Sequence, residues 1–213
     1  MPAPETTVEG RLDDGARVLF RPLRRDDREI LRQGFEDLSD DSRYHRFFTP
    51  LNALSEEQLD SLTDVDFVDR VAWLALLPDD PSVAGAGVAR FVRAKDNPEV
   101  AEAAVTVIDK YQRRGVGSAL LRILAQSAIE LGIRRFRAFV LGENKAMLQM
   151  FEGLGAETAG IEEGVIELLI PLPATVDELK ESPAPRILRA AAEGVVEGRA
   201  GRQGWGTHFI RPR

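Results

Sequence analysis

Cysteine is absent from this chain of 213 residues, and histidine occurs only twice, as His45 and His208. Without cysteine, the protein can form no disulfide bond, no thiolate nucleophile and no cysteine-ligated metal site. Two histidines are too few for a histidine metal cluster, so we expect no metal. Thiol chemistry and the usual zinc sites are therefore excluded before any motif is considered.

Long apolar segments and an excess of basic residues are missing as well. No run of about 18 apolar residues occurs, and the N-terminus lacks the basic and then apolar pattern of a signal sequence. The net charge is −7, from 35 acidic and 28 basic residues. This charge argues against a nucleic-acid-binding protein and is compatible with a cationic substrate such as an amine. We expect a cytoplasmic protein that binds neither membranes nor nucleic acids.

What is present is an ordinary globular composition, with 44% apolar and 30% charged residues. The length suits one well-formed core. Residues 1–7 contain two prolines and two threonines and predict a mobile N-terminus. Residues 173–213 are interrupted by proline and rich in glycine, so we expect an appended C-terminal extension rather than a second domain.

The order of predicted elements is a strand, two helices, three strands, a helix, a strand, a helix and one or more final strands. A capping box formed by Ser55 and Gln58 marks the start of the second helix. The predicted strands lie at 16–23, 71–77, 83–92, 99–108, 135–141 and 165–170. Short turns between the middle strands predict an antiparallel meander, and the later helices are crossovers on a mixed sheet. The pattern thus predicts an α+β, or mixed α/β, fold.

The stretch from Glu99 to Leu131 is central to the functional prediction. It begins with a strand that is mostly apolar on both faces and ends with an amphipathic helix. The glycine loop, which we define as residues 112–117, joins the two and reads Gln-Arg-Arg-Gly-Val-Gly. Its glycines permit a sharp turn and a close approach of a ligand, and the first N–H groups of the helix favour an anion. With the charges of Arg113 and Arg114, the loop predicts a phosphate or pyrophosphate site.

Two common phosphate motifs do not fit the glycine loop: the triphosphate loop needs a downstream Gly-Lys pair, and the dinucleotide fingerprint needs a third glycine. The loop instead resembles the Gln/Arg-x-x-Gly-x-Gly/Ala segment of the GNAT superfamily of N-acyltransferases, which binds the pyrophosphate of coenzyme A. Asn144, Met147, Phe151 and Gly155 fall at the spacing of a second GNAT element. The resemblance covers residues 8–172 and is most specific over 99–156.

The resemblance implies the GNAT fold, a central mixed and mostly antiparallel sheet with flanking helices, in which two central strands splay apart to admit acetyl-CoA. It implies acetyl-CoA as the cosubstrate and no metal. The implied acetyl-CoA-binding residues are Val105, Thr106, Val107, Gln112, Arg113, Arg114, Gly115, Val116, Gly117, Ser118, Ala119, Asn144, Met147 and Phe151. Plainer interpretations remain open: a ligand-free glycine turn, a fully paired central strand at Val105 and Val107, and an ordinary helix N-cap at Asn144.

Glu102 is the candidate general base, because it interrupts an otherwise apolar strand where a carboxylate would be partly desolvated. It could instead face solvent beside Glu99 at the start of the strand. The resemblance favours the base, since GNAT protein lysine acetyltransferases carry a glutamate on this strand at this offset from the pyrophosphate loop. Many family members also have a tyrosine that protonates the leaving thiolate, but Phe151 stands there and cannot donate a proton.

The segment from Arg43 to Phe48 is aromatic and basic. Two interpretations of its first four residues remain open: they line the acceptor side, or they belong to the core (Arg43, Tyr44, His45 and Arg46). The sequence of the segment resembles that of bacterial protein acetyltransferases. We therefore expect a transferase that moves an acetyl group from acetyl-CoA to a primary amine, with a protein lysine as acceptor. The alternatives are a small-molecule amine or amino-acid acetyltransferase and a non-catalytic acyl-CoA-binding or sensor module. A homo-oligomer is left open.

Overall fold

The computed structural model describes residues 6–12, 14–143, 148, 151–152 and 155–181. Within these ranges, eight strands form one sheet in the order β1-β2-β3-β4-β5-β6-β8-β7. The strands are β1 (Val8–Arg11), β2 (Arg17–Pro22), β3 (Arg70–Leu76), β4 (Gly87–Arg93), β5 (Val100–Val107), β6 (Arg135–Leu141), β7 (Glu157–Glu162) and β8 (Val165–Pro171). Every neighbouring pair is antiparallel except β5 and β6, which are parallel because a helix crosses over between them.

Helices cover both faces of the sheet. The described helices are α1 (Arg28–Glu36), α2 (Asp40–Phe47), α3 (Glu56–Thr63), α4 (Val116–Glu130) and α5 (Val176–Glu181). The crossover helix α4 packs against β3, β4 and β5 on one face, whereas α1, α2 and α3 cover the other. None of the helices in the described residues is long and apolar enough to cross a membrane.

Alternation along β5 assigns its side chains to these two layers. Ala101, Ala103 and Val105 are buried in the main core that α4 covers. Ala104 and Thr106 point the other way, towards α1, α2 and α3. The strand is therefore covered on both faces, as its nearly continuous apolar sequence predicted.

The predicted α+β class is confirmed, and so are several details. The strand over 135–141 has the predicted bounds, and Ser55 and Gln58 form both hydrogen bonds of the capping box at α3. The strand predicted over 83–92 begins only at Gly87, because glycine weakens the start of a strand.

The sequence prediction missed three elements. The strand β1 has no apolar alternation and exists because it pairs with β2 in a hairpin. The short helix α2 was hidden by a polar sequence, although Ser39 caps it by accepting from the Ser42 amide. The exposed strand β7 precedes the predicted last strand and pairs with it. Of the C-terminal extension, α5 is described and residues 182–213 lie outside the described range.

Candidate active site

The strands β5 and β6 pair at one end and then part. Their parallel ladder joins only Val100, Glu102 and the residue between them to 135–137, whereas β5 stays paired with β4 to its end and β6 stays paired with β8. We call the gap between residues 103–107 and 138–141 the opening. A parallel pair of strands that separates in this way exposes strand edges whose polar groups can bind an extended ligand.

The main-chain groups of alternate β5 residues face the opening. The Glu99 carbonyl accepts from the Arg134 amide at 2.7 Å on the β6 side, and the Val100 carbonyl accepts from the Ala94 amide at 2.8 Å on the β4 side. Because neighbouring residues of a strand direct their polar groups to opposite edges, Val105 and Val107 share the β6 side with Glu99. The structure thus places the predicted pantetheine-binding edge along the opening.

The side chain of Gln112 lies at one end of the opening and is hydrogen-bonded within the protein. Its side-chain amide donates to the Val107 carbonyl at 3.1 Å and lies 3.2 Å from the Ser42 hydroxyl. The Val107 carbonyl is therefore already engaged within the protein. Thr106 pairs with Val88 of β4 through its main chain, and its side chain lines the cavity beneath α1–α3. Among the predicted residues Val105, Thr106 and Val107, Val105 is therefore the one whose main chain faces the opening and is not next to Gln112.

The glycine loop leads into the N-terminus of α4 through two residues with positive φ. Gly115 is the N-cap with φ of 88°, and Arg113 also has a positive φ, of 57°. Glycine adopts the left-handed region at little cost, whereas arginine does so less readily. A glycine N-cap has no side chain to accept from the first helical N–H groups, so these groups and the helix dipole favour an anion. Val116, Gly117 and Ser118 in this first turn are buried, and Ala119 is half-buried.

The two loop arginines differ in their surroundings. Arg113 is exposed. Arg114 forms an ion pair with Asp14, and its guanidinium lies 4.2 Å from the centre of the Tyr111 ring. Tyr111 in turn donates a hydrogen bond to Asp80. Arg114 therefore fixes the loop against the protein, while Arg113 is the more exposed of the two loop cations. The loop geometry and charge fit a pyrophosphate.

Glu102 lies at the last paired position before the opening. Its side chain is 15% exposed, and its Oε1 atom is 3.6 Å from Nη1 of Arg137, the residue opposite it on β6. The same guanidinium lies 3.0 Å from Glu167 and 3.0 Å from Asp96. Burial opposes the charge of Arg137, but the hydrogen bond and charge of Asp96, followed by Glu167 and Glu102, raise its pKa. A carboxylate is thus held beside a permanent cation at the apex of the opening.

A cavity that is partly open to solvent lies between α1–α3 and the sheet. We call it the α1–α3 cavity. Two buried arginines, Arg46 and Arg90, form part of a wall that is otherwise mostly apolar. The segment from Arg43 to Phe48 was predicted to line the acceptor side or to belong to the core. Two of its residues, Arg46 and Phe47, line this cavity. Tyr44 is exposed, and Arg43 packs over the Phe35 ring at 4.7 Å.

Helix α2 is fastened to the turn that precedes the glycine loop. Asp109 accepts hydrogen bonds from the Ser39 amide at 2.9 Å, the Ser39 hydroxyl at 2.8 Å and the Ser42 hydroxyl at 3.0 Å. Burial opposes the charge of Asp109, but the serine donors hold its pKa below the ordinary value. No local sequence pattern marks these three residues, because the contact joins positions about seventy residues apart.

Arg90 and Arg137 were also missed, although a signal was available. Each interrupts an apolar strand, as Glu102 does on β5. A charged residue on the inner face of a predicted buried strand is rare without a partner or a function. A charged residue within an apolar strand, the feature that marks Glu102 on β5, also marks Arg90 on β4 and Arg137 on β6.

The remaining predicted residues lie on the second GNAT-like element. Asn144 and Met147 lie outside the described residues. Phe151 is only 2% exposed and belongs to the main core. In the described part of the chain, no group of three histidine, cysteine, aspartate or glutamate side chains could hold a metal ion.

Comparison with known proteins gives consistent matches. Residues 31–156 match the acetyltransferase (GNAT) family. The acetyltransferase PA5475 of Pseudomonas aeruginosa is 35% identical over 144 residues, covering 68% of this chain and 77% of that protein. The acetyltransferase Pat of Mycolicibacterium smegmatis is 31% identical over 204 residues, covering 88% of this chain and 58% of Pat. The chain therefore spans little more than half the length of Pat.

A solved structure supports the same assignment. The GNAT domain of S. lividans PAT superposes with a TM-score of 0.69 at 37% identity, covering 78% of this chain and 97% of that domain. The family match includes β5, the glycine loop and α4, which form the opening and the predicted anion site. The chain belongs to the GNAT family of acetyltransferases, enzymes that use acetyl-CoA as the acetyl donor.

Proposed function

We propose that this protein transfers an acetyl group from acetyl-CoA to a primary amine by direct attack, with Glu102 as general base, and that the amine is a protein lysine side chain. The opening between β5 and β6 supports this proposal, because it brings three required features together. The Val105 edge lies along it, the glycine loop follows the end of β5, and Glu102 lies at its apex. The resemblance to bacterial protein acetyltransferases supports lysine as the acceptor.

The residues around the opening fit acetyl-CoA. The first turn of α4 and Arg113 would bind the pyrophosphate, and the main chain of Val105 would pair with the pantetheine arm as an added strand would. The bound cosubstrate supplies a thioester, which an amine can attack without a covalent enzyme intermediate. The protein then has to position the amine and remove its proton.

Glu102 would perform the proton transfer. An alkyl amine is protonated at neutral pH, and it becomes a nucleophile only when a base accepts that proton. Arg137 favours the charged carboxylate that this role requires. Phe151 is apolar and buried, so we assign protonation of the leaving thiolate to water rather than to a side chain at that position.

A small amine is the second candidate acceptor. The α1–α3 cavity favours it, since a concave and mostly apolar site suits a small molecule better than an extended peptide. The two candidates share the opening and Glu102 and differ only in how the acceptor is held.

One experiment tests the reaction and the acceptor together. Purified protein is incubated with acetyl-CoA and a panel of lysine-containing peptides, small amines and amino acids, while release of the coenzyme A thiol and the mass of each product are measured. We expect amine-dependent thiol release that Glu102→Gln suppresses. Thiol release with no amine in the panel, despite measurable binding of acetyl-CoA, would replace the proposal with a non-catalytic acyl-CoA-binding module.

A further inference from the structure

Helix α2 depends on a few specific contacts for its position. It spans eight residues, and a helix of that length is marginal in water without tertiary support. Its sequence is mostly polar, and its buried residues are Ser42 and Arg46. Hydrogen bonds to neighbouring segments therefore decide where α2 lies, more than burial of an apolar face does.

The start of α2 is bound to the turn that leads into the glycine loop. This turn is a short 3₁₀ helix, Asp109–Tyr111, that follows β5. Oδ1 of Asp109 accepts from the hydroxyls of Ser39 and Ser42, and Oδ2 accepts from the Ser39 amide. The Ser39 hydroxyl also caps α2 by accepting from the Ser42 amide at 3.2 Å. Asp109 therefore holds the capping residue and the first buried side chain of α2 together.

Gln112 extends this contact into the opening. Its side-chain amide donates both to the Ser42 hydroxyl and to the Val107 carbonyl. In the proposed complex, acetyl-CoA contacts Val105 before the turn and Arg113 after it. Bound acetyl-CoA would thus restrain the turn and Gln112 from both sides, and with them the start of α2.

The other end of α2 belongs to the wall of the α1–α3 cavity. Phe47 lines the cavity and packs edge-on against Phe35 of α1, with ring centres 5.6 Å apart. Arg43 donates to the carbonyl of Phe35 at 3.2 Å and to that of Glu36 at 3.0 Å. The two helices are therefore joined, so a shift of α2 would also move the α1 side of the wall.

The cavity lies on the Glu102 face of β5. Ala104 lines the cavity, and it shares one face of the strand with Glu102 at a separation of about 7 Å. A lysine side chain that approaches Glu102 from this face would pass along the wall that α1 and α2 form. The position of α2 therefore bears on how an acceptor is held.

We propose that Asp109 is a positioning residue that couples the two substrate sites. Acetyl-CoA bound at the glycine loop fixes α2 through the contacts of Asp109 with Ser39 and Ser42, and α2 then completes the wall against which the acceptor lysine lies. By linkage, the acceptor and acetyl-CoA each raise the affinity for the other by the same factor. This inference rests on the proposed acetyl transfer and adds the contact that links its two substrates.

Hydrogen exchange of the α2 amides, with and without saturating coenzyme A, tests the coupling without turnover. We expect coenzyme A to slow exchange in α2 of the wild type by about tenfold, and by less than about twofold in Asp109→Asn. Asparagine keeps one acceptor oxygen and presents an amide donor to the remaining serine donors. A purely structural role would speed exchange equally in both states, so an unchanged ratio in Asp109→Asn would overturn the proposal.

A second variant keeps the test independent of how well Asp109→Asn folds. Ser42→Ala removes the hydroxyl that lies between Asp109 and Gln112, while the contacts of Ser39 remain. We expect it to weaken the effect of coenzyme A on α2 as well. An effect of wild-type size in both variants would overturn the proposal.

Asp80→Asn is the matched control. Asp80 accepts from Lys110 at 2.7 Å and from the Tyr111 hydroxyl, so it contacts the same turn, but it lies between β3 and β4. It should keep the effect of saturating coenzyme A on α2. Equal losses in Asp80→Asn and Asp109→Asn would show that loosening of the turn, rather than the contact with α2, causes them, and would overturn the proposal.

Turnover provides a second measurement, with the amine that the panel above shows to react fastest. Asp109→Asn should raise the KM for this amine about tenfold and change kcat little, because it weakens how the acceptor is held and leaves Glu102 in place. A lower kcat at an unchanged KM for the amine would contradict the coupling.

The outcomes separate this proposal from the proposed acetyl transfer. Coenzyme A that slows exchange in the glycine loop but not in α2 of the wild type would overturn the coupling and leave the transfer intact. Protection of α2 that depends on Asp109, without acetylation of any amine, would support the coupling and reject the transfer. Failure of coenzyme A to bind would reject both.

Discussion

The guanidinium of Arg137 lies 3.6 Å from the carboxylate of Glu102, across the last pair of residues that hold β5 and β6 together. The two strands part immediately beyond this pair, so the ion pair marks the point where the sheet opens. This arrangement links a candidate catalytic carboxylate to the architecture of the sheet. It also provides two variants that should affect the reaction in different ways.

Glu102→Gln keeps the shape of the side chain and removes its ability to accept a proton. We expect the rate of the chemical step to fall by roughly a hundredfold or more at neutral pH, with little change in acetyl-CoA affinity. The deficit should shrink as pH rises, because more of the amine is then already deprotonated. Single-turnover rates and acetyl-CoA titrations over a pH series measure both quantities.

Glu167→Gln is the matched control, since Glu167 also contacts Arg137 but lies on β8. It should change the chemical step far less than Glu102→Gln. Equal losses in the two variants would show that the charge balance of Arg137, rather than proton transfer at Glu102, limits the reaction.

Arg137→Met removes the cation that favours the carboxylate form of Glu102. We expect the acidic limb of the pH–rate profile to move to higher pH, because more alkaline conditions are then needed to populate the carboxylate. The maximal rate above that limb should fall less than it does in Glu102→Gln. An unmoved limb with a uniformly lower rate would indicate that Arg137 supports the fold and does not tune the base.

Gly115→Ala adds a methyl group at the N-cap of α4, where the backbone has φ of 88°. We expect acetyl-CoA affinity to fall by roughly tenfold or more, since a side chain there keeps a phosphate away from the main chain. The left-handed backbone should also make the variant less stable by about 1 kcal/mol. Acetyl-CoA titration and thermal unfolding measure the two effects.

Gly132→Ala is the control for Gly115→Ala. Gly132 follows the other end of α4 with φ of 80°, and beyond the adjoining main chain no atom lies within 4 Å of an added Cβ. It should lose a similar amount of stability and keep its acetyl-CoA affinity. If both variants bind acetyl-CoA normally, the assignment of the glycine loop as the pyrophosphate site is wrong.

Asp27→Asn should destabilise the protein in a pH-dependent way. Asp27 is buried and accepts from Arg21 at 2.6 and 2.7 Å and from the Arg24 amide at 2.6 Å. Burial opposes its charge, but these donors hold its pKa below the ordinary value of 3.8. The stabilisation is therefore full above that ordinary value and is lost as pH falls through the folded-state pKa.

The expected loss for Asp27→Asn is about 3 kcal/mol at neutral pH, as for one partner of a buried ion pair. The difference in stability from wild type should narrow below pH 3.8. There the carboxyl of Asp27 takes up a proton in the unfolded state before it does so in the folded state. Urea unfolding at a series of pH values measures it. Glu9→Gln breaks the exposed pair with Arg17 and should cost less than about 1 kcal/mol. A pH-independent deficit in Asp27→Asn would point to lost packing instead of lost charge.

Local sequence patterns predicted the part of the site that one continuous segment forms. The apolar strand, the glycine loop and α4 follow one another between Val100 and Glu130, so periodicity and glycine placement were sufficient to locate them. Glu102 stood out because it interrupts an apolar strand. The family likeness supplied the splay of the central strands, which spacing could not show.

The contacts that join distant segments could not be predicted in this way. That Arg46 and Arg90 line the same cavity requires α2 to lie over β4, and the pairing of Glu102 with Arg137 depends on the register of a parallel ladder. Neither relationship leaves a periodic signal, because each depends on where the chain returns to the sheet. The tie between Asp109 and Ser39 has the same origin.

The opening also makes the sheet uneven in local stability. Three residue pairs join β5 to β6, whereas β4 and β5 are joined by seven. The amide of Val105 faces the opening and should exchange its hydrogen with solvent faster than the amides of neighbouring β5 residues that face β4. Acetyl-CoA bound along that edge would slow exchange at Val105 selectively. Hydrogen exchange with and without acetyl-CoA would therefore map the bound pantetheine arm residue by residue, without any turnover.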